Sequence, residues 1–142
     1  MIELIFVIVI IGILAAVAVP KLAATRDDAK ISALAKNVTI GANEIASYAL
    51  ANGKTESDFT LMSNAVAGMV GRGEAVQSGS ILNIKINDTA DCLIMEINTT
   101  TADSNLTISY GNAGTDGICQ GLQDTVDDEK YPIPLTGSRV KK

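Results

Sequence analysis

One carboxylate, Glu3, stands at the edge of a run with no charged or strongly polar side chain from Leu4 to Val19. A carboxylate in an apolar setting is expensive without a partner. The chemistry it offers is therefore docking by charge, not catalysis. The chain has no His. That removes Ser-His-Asp and Cys-His nucleophilic systems, His-ligated zinc and haem attachment through C-x-x-C-H. No catalytic constellation remains. Cys92 and Cys119 fit no zinc or redox spacing. They stand either as one disulfide or as a pair of buried free thiols. Asp116, Asp124, Asp127, Asp128 and Glu129 gather oxygen ligands near the C-terminus. Calcium takes about six to eight such oxygens, which makes Asp124, Asp127 and Asp128 weak calcium candidates. No EF-hand spacing is present, and a solvated acidic loop is the stronger reading.

The element that positions Glu3 is the apolar run itself. Twelve of its residues are Leu, Ile, Val or Phe. At about −0.3 to −0.6 kcal/mol each, they favour the membrane by roughly 5 kcal/mol in sum. At 1.5 Å per residue the run spans about 25 Å, slightly under a hydrocarbon core of ~30 Å. From Lys21 the composition turns mixed, and Ile31, Leu34, Val38, Ala42, Ile45 and Ala49 recur at spacings of three and four. Lys30, Lys36 and Glu44 lie off that stripe. Asn52-Gly53 is a helix stop. The sequence thus predicts one helix over residues 1–52, about 75 Å long. Residues 1–20 are apolar all round and residues 21–52 are amphipathic. The first part has to be covered by lipid or by copies of itself.

The string Ile2-Glu3-Leu4, followed by the apolar run ending IIGILAAVAVP, resembles the mature N-terminus of the type IV pilins and pseudopilins. The matching positions are Glu3, Gly12, Ala15, Ala16 and Pro20, and the likeness covers about the first 25 residues. Mature pilins begin with Phe and place this glutamate two residues deeper. The resemblance therefore implies that a Phe, one further residue and a leader peptide precede Met1, which is then not the native N-methylated terminus. Lys21, Arg26 and Lys30 follow the run, and alone they would place the C-terminal part in the cytoplasm. A basic leader, as the resemblance implies, reverses this and puts residues 21–142 outside. In an exported domain the two cysteines read as one disulfide. Closing a loop of about 27 residues would constrain the unfolded chain by roughly 3.5 kcal/mol. Pilins close a C-terminal loop in this way, and major secretion pseudopilins carry calcium in theirs.

Composition bounds the rest. The 142 residues suit one domain plus an appendage. Aromatics are 4% and Trp is absent, so the core must be aliphatic and modest. Phe6, Tyr48, Phe59, Tyr110 and Tyr131 are too sparse for conduction along the chain. Net charge is −5. The first 52 residues hold four acids and four bases, leaving twelve acids against seven bases for residues 53–142. Such a surface argues against nonspecific DNA binding, and the Arg139-Val-Lys-Lys tail reads as a solvated end. No specific nucleic-acid partner and no cofactor are expected.

Beyond Gly53, Ser57 or Asp58 could cap a second helix through about Val70, with Phe59, Met62, Val66 and Met69 on one face as core. Strands follow. Ile81–Asn87 alternates on Leu82, Ile84 and Ile86; Asp88-Thr89-Ala90 turns. Cys92–Asn98 places Leu93, Met95 and Ile97 on one face and Cys92, Ile94 and Glu96 on the other. A polar loop from Asn98 to Ser104 leads to a third strand on Leu106, Ile108 and Tyr110. Residues 111–142 are weakly periodic. The expected fold is α+β: a helical spine whose second half packs on a three-stranded antiparallel meander, with a head over residues 53–142 made of a connecting loop, that sheet and a disulfide-closed C-terminal region. This is the pilin layout. Asn-x-Thr triplets occur at Asn37, Asn87, Asn98 and Asn105. Asn98 and Asn105 have acids two residues upstream, Glu96 and Asp103, resembling the extended acceptor of bacterial N-glycosylation. Ordinary turn chemistry explains them as well.

The resemblance implies a major-pilin-like subunit. It would sit in the inner membrane and then polymerise through its N-terminal helix into a surface filament for adhesion, motility or DNA uptake. Its partners would be other copies, the prepilin peptidase, and the assembly motor and platform. Glu3 would meet the α-amino group of a neighbouring subunit, and helix would be lost between Gly12 and Pro20 on assembly. The acidic tail leans towards a pseudopilin of a secretion or competence system instead. A membrane-tethered binding module that never polymerises is the alternative of another class, but a mere anchor has no need of Glu3.

Overall fold

A computed structural model describes residues 1–87, 89–99 and 104–136. The Arg139-Val-Lys-Lys tail, Asp88, Asp103 and most of the polar loop after Asn98 lie outside those residues.

The chain opens on α1 (Ile2–Asn52), 51 residues with Pro20 inside. It ends as its sequence dictates: Gly53 takes φ +68° and its N–H returns to the Ala49 carbonyl at 2.8 Å, the left-handed stop that glycine makes cheap. Two compact units divide the chain, Met1–Lys30 and Ile31–Lys142. Residues 1–26 are exposed throughout. Within the second unit the stripe on α1 is buried: Leu34, Val38, Ala42, Ile45 and Ala49 join one core cluster.

The connecting segment differs from the expected single helix. It forms α2 (Phe59–Met62) and α3 (Asn64–Gly71), broken at Ser63. Asp58, not Ser57, caps α2 through Thr60 N–H, and the Ser63 hydroxyl caps α3 through Val66 N–H at 3.0 Å. Ser63 thus closes one helix and opens the next. Phe59, Met62, Val66 and Met69 are all buried, as the stripe predicts. Gly41 on α1 lets α3 approach, since a Cβ there would lie 2.9 Å from Val66 Cγ2.

The sheet has five antiparallel strands in sequential order, not three. They are β1 (Ala75–Ser78), β2 (Ile81–Ile86), β3 (Thr89–Asn98), β4 (Asn105–Tyr110) and β5 (Pro132–Pro134). The central three carry the expected alternation, with Leu82, Ile84, Leu93, Met95, Leu106 and Ile108 buried. Thr89 and Ala90 belong to β3 rather than to the turn. Asn87 takes φ +52° instead, a conformation asparagine tolerates. Gln77 ties β1 inward, accepting from Phe59 N–H and donating to the Ser57 carbonyl. At the far edge, Leu135 N–H donates to the Ser104 carbonyl at 2.8 Å, so β5 turns Ile133 N–H towards β4 and its two prolines outward.

The C-terminal region is more ordered than its composition suggests. It contains α4 (Gly117–Thr125) and a 3₁₀ turn, Asp128–Lys130, before β5. Asp116 caps α4, and Cys119, Leu122 and Val126 turn into the core.

Candidate functional site

Glu3 lies in the first turn of α1, where a carboxylate complements the helix dipole. Its Oε2 is 3.3 Å from the Met1 α-amino group, and both groups are open to solvent. From Leu4 to Leu22 the large apolar side chains are exposed among the described residues. Leu4 is 70% exposed, Phe6 69% and Leu14 65%. An 18-residue window here has mean hydropathy 3.1, long and apolar enough to cross a membrane. Gly12 has nothing within 4 Å of where a Cβ would be. The helix is continuous from Gly12 to Pro20, although Pro20 leaves the Ala16 carbonyl without its donor. The arrangement is a long apolar surface bearing one negative charge at its tip.

Cys92 and Cys119 form a disulfide joining β3 to α4. Three side-chain ties run alongside it. Gln123 Nε2 donates to the carbonyls of Cys92 and Gly111 at 2.8 and 2.9 Å. The Thr89 hydroxyl donates to Asp116 Oδ2 at 2.7 Å. Asp116 Oδ1 accepts from Ile118 and Cys119 N–H. The Thr89 hydroxyl foremost, with those N–H groups, holds the Asp116 carboxyl below its ordinary range. Asn87, Thr89, Ala113, Thr115 and Asp116 line an open depression of about 590 Å³ beside this tie. Gly121 admits α1 closely: a Cβ there would lie 2.8 Å from Ile31 Cδ1.

The acids near the C-terminus serve as caps and surface charges. Asp127 accepts from Glu129 N–H and pairs with Lys130 at 3.1 Å. Asp124 is exposed and Asp128 half-buried. Among the described residues no three metal-ligating side chains converge, so Asp124, Asp127 and Asp128 are not brought together. Asn98 is exposed at the end of β3, whereas Asn105 lies within β4 with its Oδ1 sealed from solvent.

Glu44 is the residue whose role the helical pattern conceals. It lies off the apolar stripe of α1, yet its Oε2 accepts the Ser63 hydroxyl at 2.6 Å and Ala65 N–H at 3.1 Å. Those bonds, the hydroxyl first, draw its pKa down against the opposing effect of burial. The available signal was Ser63-Asn64 ahead of an apolar run, an N-terminus that a carboxylate from elsewhere can complete. Asp116 and Gln123 were likewise missed as anchors.

Comparison with known proteins finds no matching family model, no matching curated protein and no matching solved structure.

Proposed function

We propose that this chain is the structural subunit of a type IV pilus-like filament, inserted in the inner membrane and then polymerised through α1. The observation that carries the reading is the bare apolar surface from Leu4 to Leu22, tipped by the single carboxylate of Glu3. Burying its thirteen large aliphatic and aromatic side chains is worth on the order of 20 kcal/mol. Lipid supplies that before assembly, and neighbouring copies supply it within a fibre. Head-to-tail contact of identical copies builds an open helical polymer. The disulfide-bonded second unit then forms the surface. Prepilin peptidase, an assembly motor and a platform protein act on it in that reading.

The test is to express the chain behind a leader peptide with a pilus assembly system and to label it for electron microscopy. Long surface fibres carrying the label support a pilin. Short fibres confined to the periplasm indicate a pseudopilin. Label that stays in the inner membrane without any fibre indicates a tethered module and overturns the proposal.

A further inference from the structure

Asn52-Gly53 is the one place in the sequence where an asparagine precedes a glycine. The side-chain carbon Cγ of an asparagine is electrophilic, and the next backbone nitrogen can close on it to form a five-membered imide. A glycine in second place favours closure, since it has no side chain to crowd the attack and has wide backbone freedom. Both residues are exposed. Among the described residues nothing lies within 4 Å of where a Gly53 Cβ would be, so water reaches the pair freely.

The end of α1 holds the pair shut. Gly53 N–H, on the nitrogen that would attack, donates to the Ala49 carbonyl at 2.8 Å. Asn52 Nδ2 donates to the Tyr48 carbonyl at 3.0 Å, which turns the side-chain amide back along the helix and away from Gly53 N. The turn beneath is anchored, with Ala49 buried and Tyr48 half-buried. The Tyr48 hydroxyl donates to Glu56 Oε1 at 3.4 Å, and Glu56 pairs with Lys54 at 2.8 Å. Only the last two residues have to open, so fraying of the helix end, not global unfolding, exposes the reaction. The comparable positions are closed. In Asp116-Gly117 the carboxyl accepts from Thr89, Ile118 and Cys119, and an ionised carboxylate is a poor electrophile. Asn112 precedes Ala113, and its Oδ1 accepts Gly114 N–H at 3.0 Å.

We propose that Asn52 is a site of spontaneous deamidation whose rate is set by the C-terminal cap of α1. Gly53 N attacks Asn52 Cγ and gives up its proton. The Cγ–Nδ2 bond breaks, and Nδ2 takes up a proton and leaves as ammonia. Water then opens the imide at either carbonyl, giving aspartate or isoaspartate. Water is the only co-reactant, and nothing is oxidised or reduced. Either product weakens the cap. The Tyr48 carbonyl loses its side-chain donor, and the new carboxylate stands at the negative end of the helix dipole. Isoaspartate also adds a carbon to the backbone before Gly53, which carries Gly53 N–H out of register with the Ala49 carbonyl. Conversion runs one way and leaves α1 with a loosened end where it enters the connecting segment.

The test uses the full chain, purified in detergent with its disulfide intact and aged near neutral pH. It needs neither export nor assembly, so its outcome is independent of the filament reading. A peptide spanning residues 49–57 serves as the uncapped reference. Peptide mass mapping follows the change from amide to acid, and labelling by an isoaspartate methyltransferase identifies the rearranged product. Both are expected at residue 52 in the folded chain, ahead of every other asparagine. Each of the two cap hydrogen bonds is worth a factor of about five, so the folded chain should convert on the order of 30-fold more slowly than the peptide. Asn52→Gln should lose the product while keeping the circular dichroism of the parent. An unchanged residue 52 in the folded chain after the peptide has fully converted overturns the proposal. So does another asparagine converting as fast, or a folded chain that converts at the rate of the peptide.

Discussion

Glu44 Oε2 accepts the Ser63 hydroxyl at 2.6 Å, so a carboxylate on the long helix closes the N-terminus of α3. The two residues are 19 apart in sequence and fix the connecting segment to α1. Replacing Glu44 with Ala leaves the Ser63 hydroxyl and the Ala65 N–H without that acceptor, at an expected cost of about 1–3 kcal/mol. Urea unfolding of the disulfide-bonded chain measures it. The folded-state pKa is lowered from 4.5. The charge therefore stabilises fully above the ordinary carboxylate range, and that contribution is lost as pH falls through the depressed value. Glu44→Gln should have a shallower acid limb than the parent, and equal limbs would refute the charged latch.

The disulfide joins residues 27 apart, and in the chain-entropy model its removal costs about 3.5 kcal/mol. Cys92→Ala with Cys119→Ala should lower the urea midpoint accordingly. Gln123 and Asp116 still tie α4 to β3, so the double variant should keep its circular dichroism at low urea. Non-reduced peptide mapping of native material should recover the Cys92–Cys119 pair, and two free thiols there would contradict it.

Glu3 is expected to act in assembly rather than in folding, because its partner among the described residues is the exposed Met1 α-amino group. Glu3→Ala should leave the unfolding midpoint of the second unit unchanged. It should still reach the membrane, and fibre yield should collapse. Normal yield and length by electron microscopy would remove the docking role.

Between Gly12 and Pro20 the isolated chain is helical. Pro20 costs about 3 kcal/mol in a helix interior and Gly12 roughly 1 kcal/mol relative to Ala. Lipid enforces backbone hydrogen bonding, but a fibre interior can replace some of it with contacts between copies. The assembled subunit should be extended over part of residues 12–20. A fibre structure with helical dihedrals at every one of those residues would exclude this.

What the sequence discloses depends on how many residues carry each signal. The long helix and the strands through Leu82, Met95 and Ile108 announce themselves by repeated periodicity. β1 has four residues, too few for a pattern, and β5 is Pro-Ile-Pro, which local preference argues against. In α4 two glycines mask a good cap at Asp116 and a Cys119-Leu122-Val126 spacing that could have been read. The break at Ser63 is hidden because Phe59, Met62, Val66 and Met69 keep one apolar face across it. For the candidate site, Glu3 is legible because it is alone. Glu44 is not, because its partner lies in another element and no local pattern specifies that meeting.

The prolines of β5 have a consequence for crowding. With Ile133 N–H turned towards β4, the outward backbone positions are Pro132 and Pro134, and neither has a hydrogen to donate. An incoming strand would find carbonyls but no N–H at those positions. The opposite border, β1, is only four residues long and is already engaged by residues 57–59 through Gln77. Copies brought side by side would therefore meet one sheet border that lacks N–H donors at its two prolines and another only four residues long.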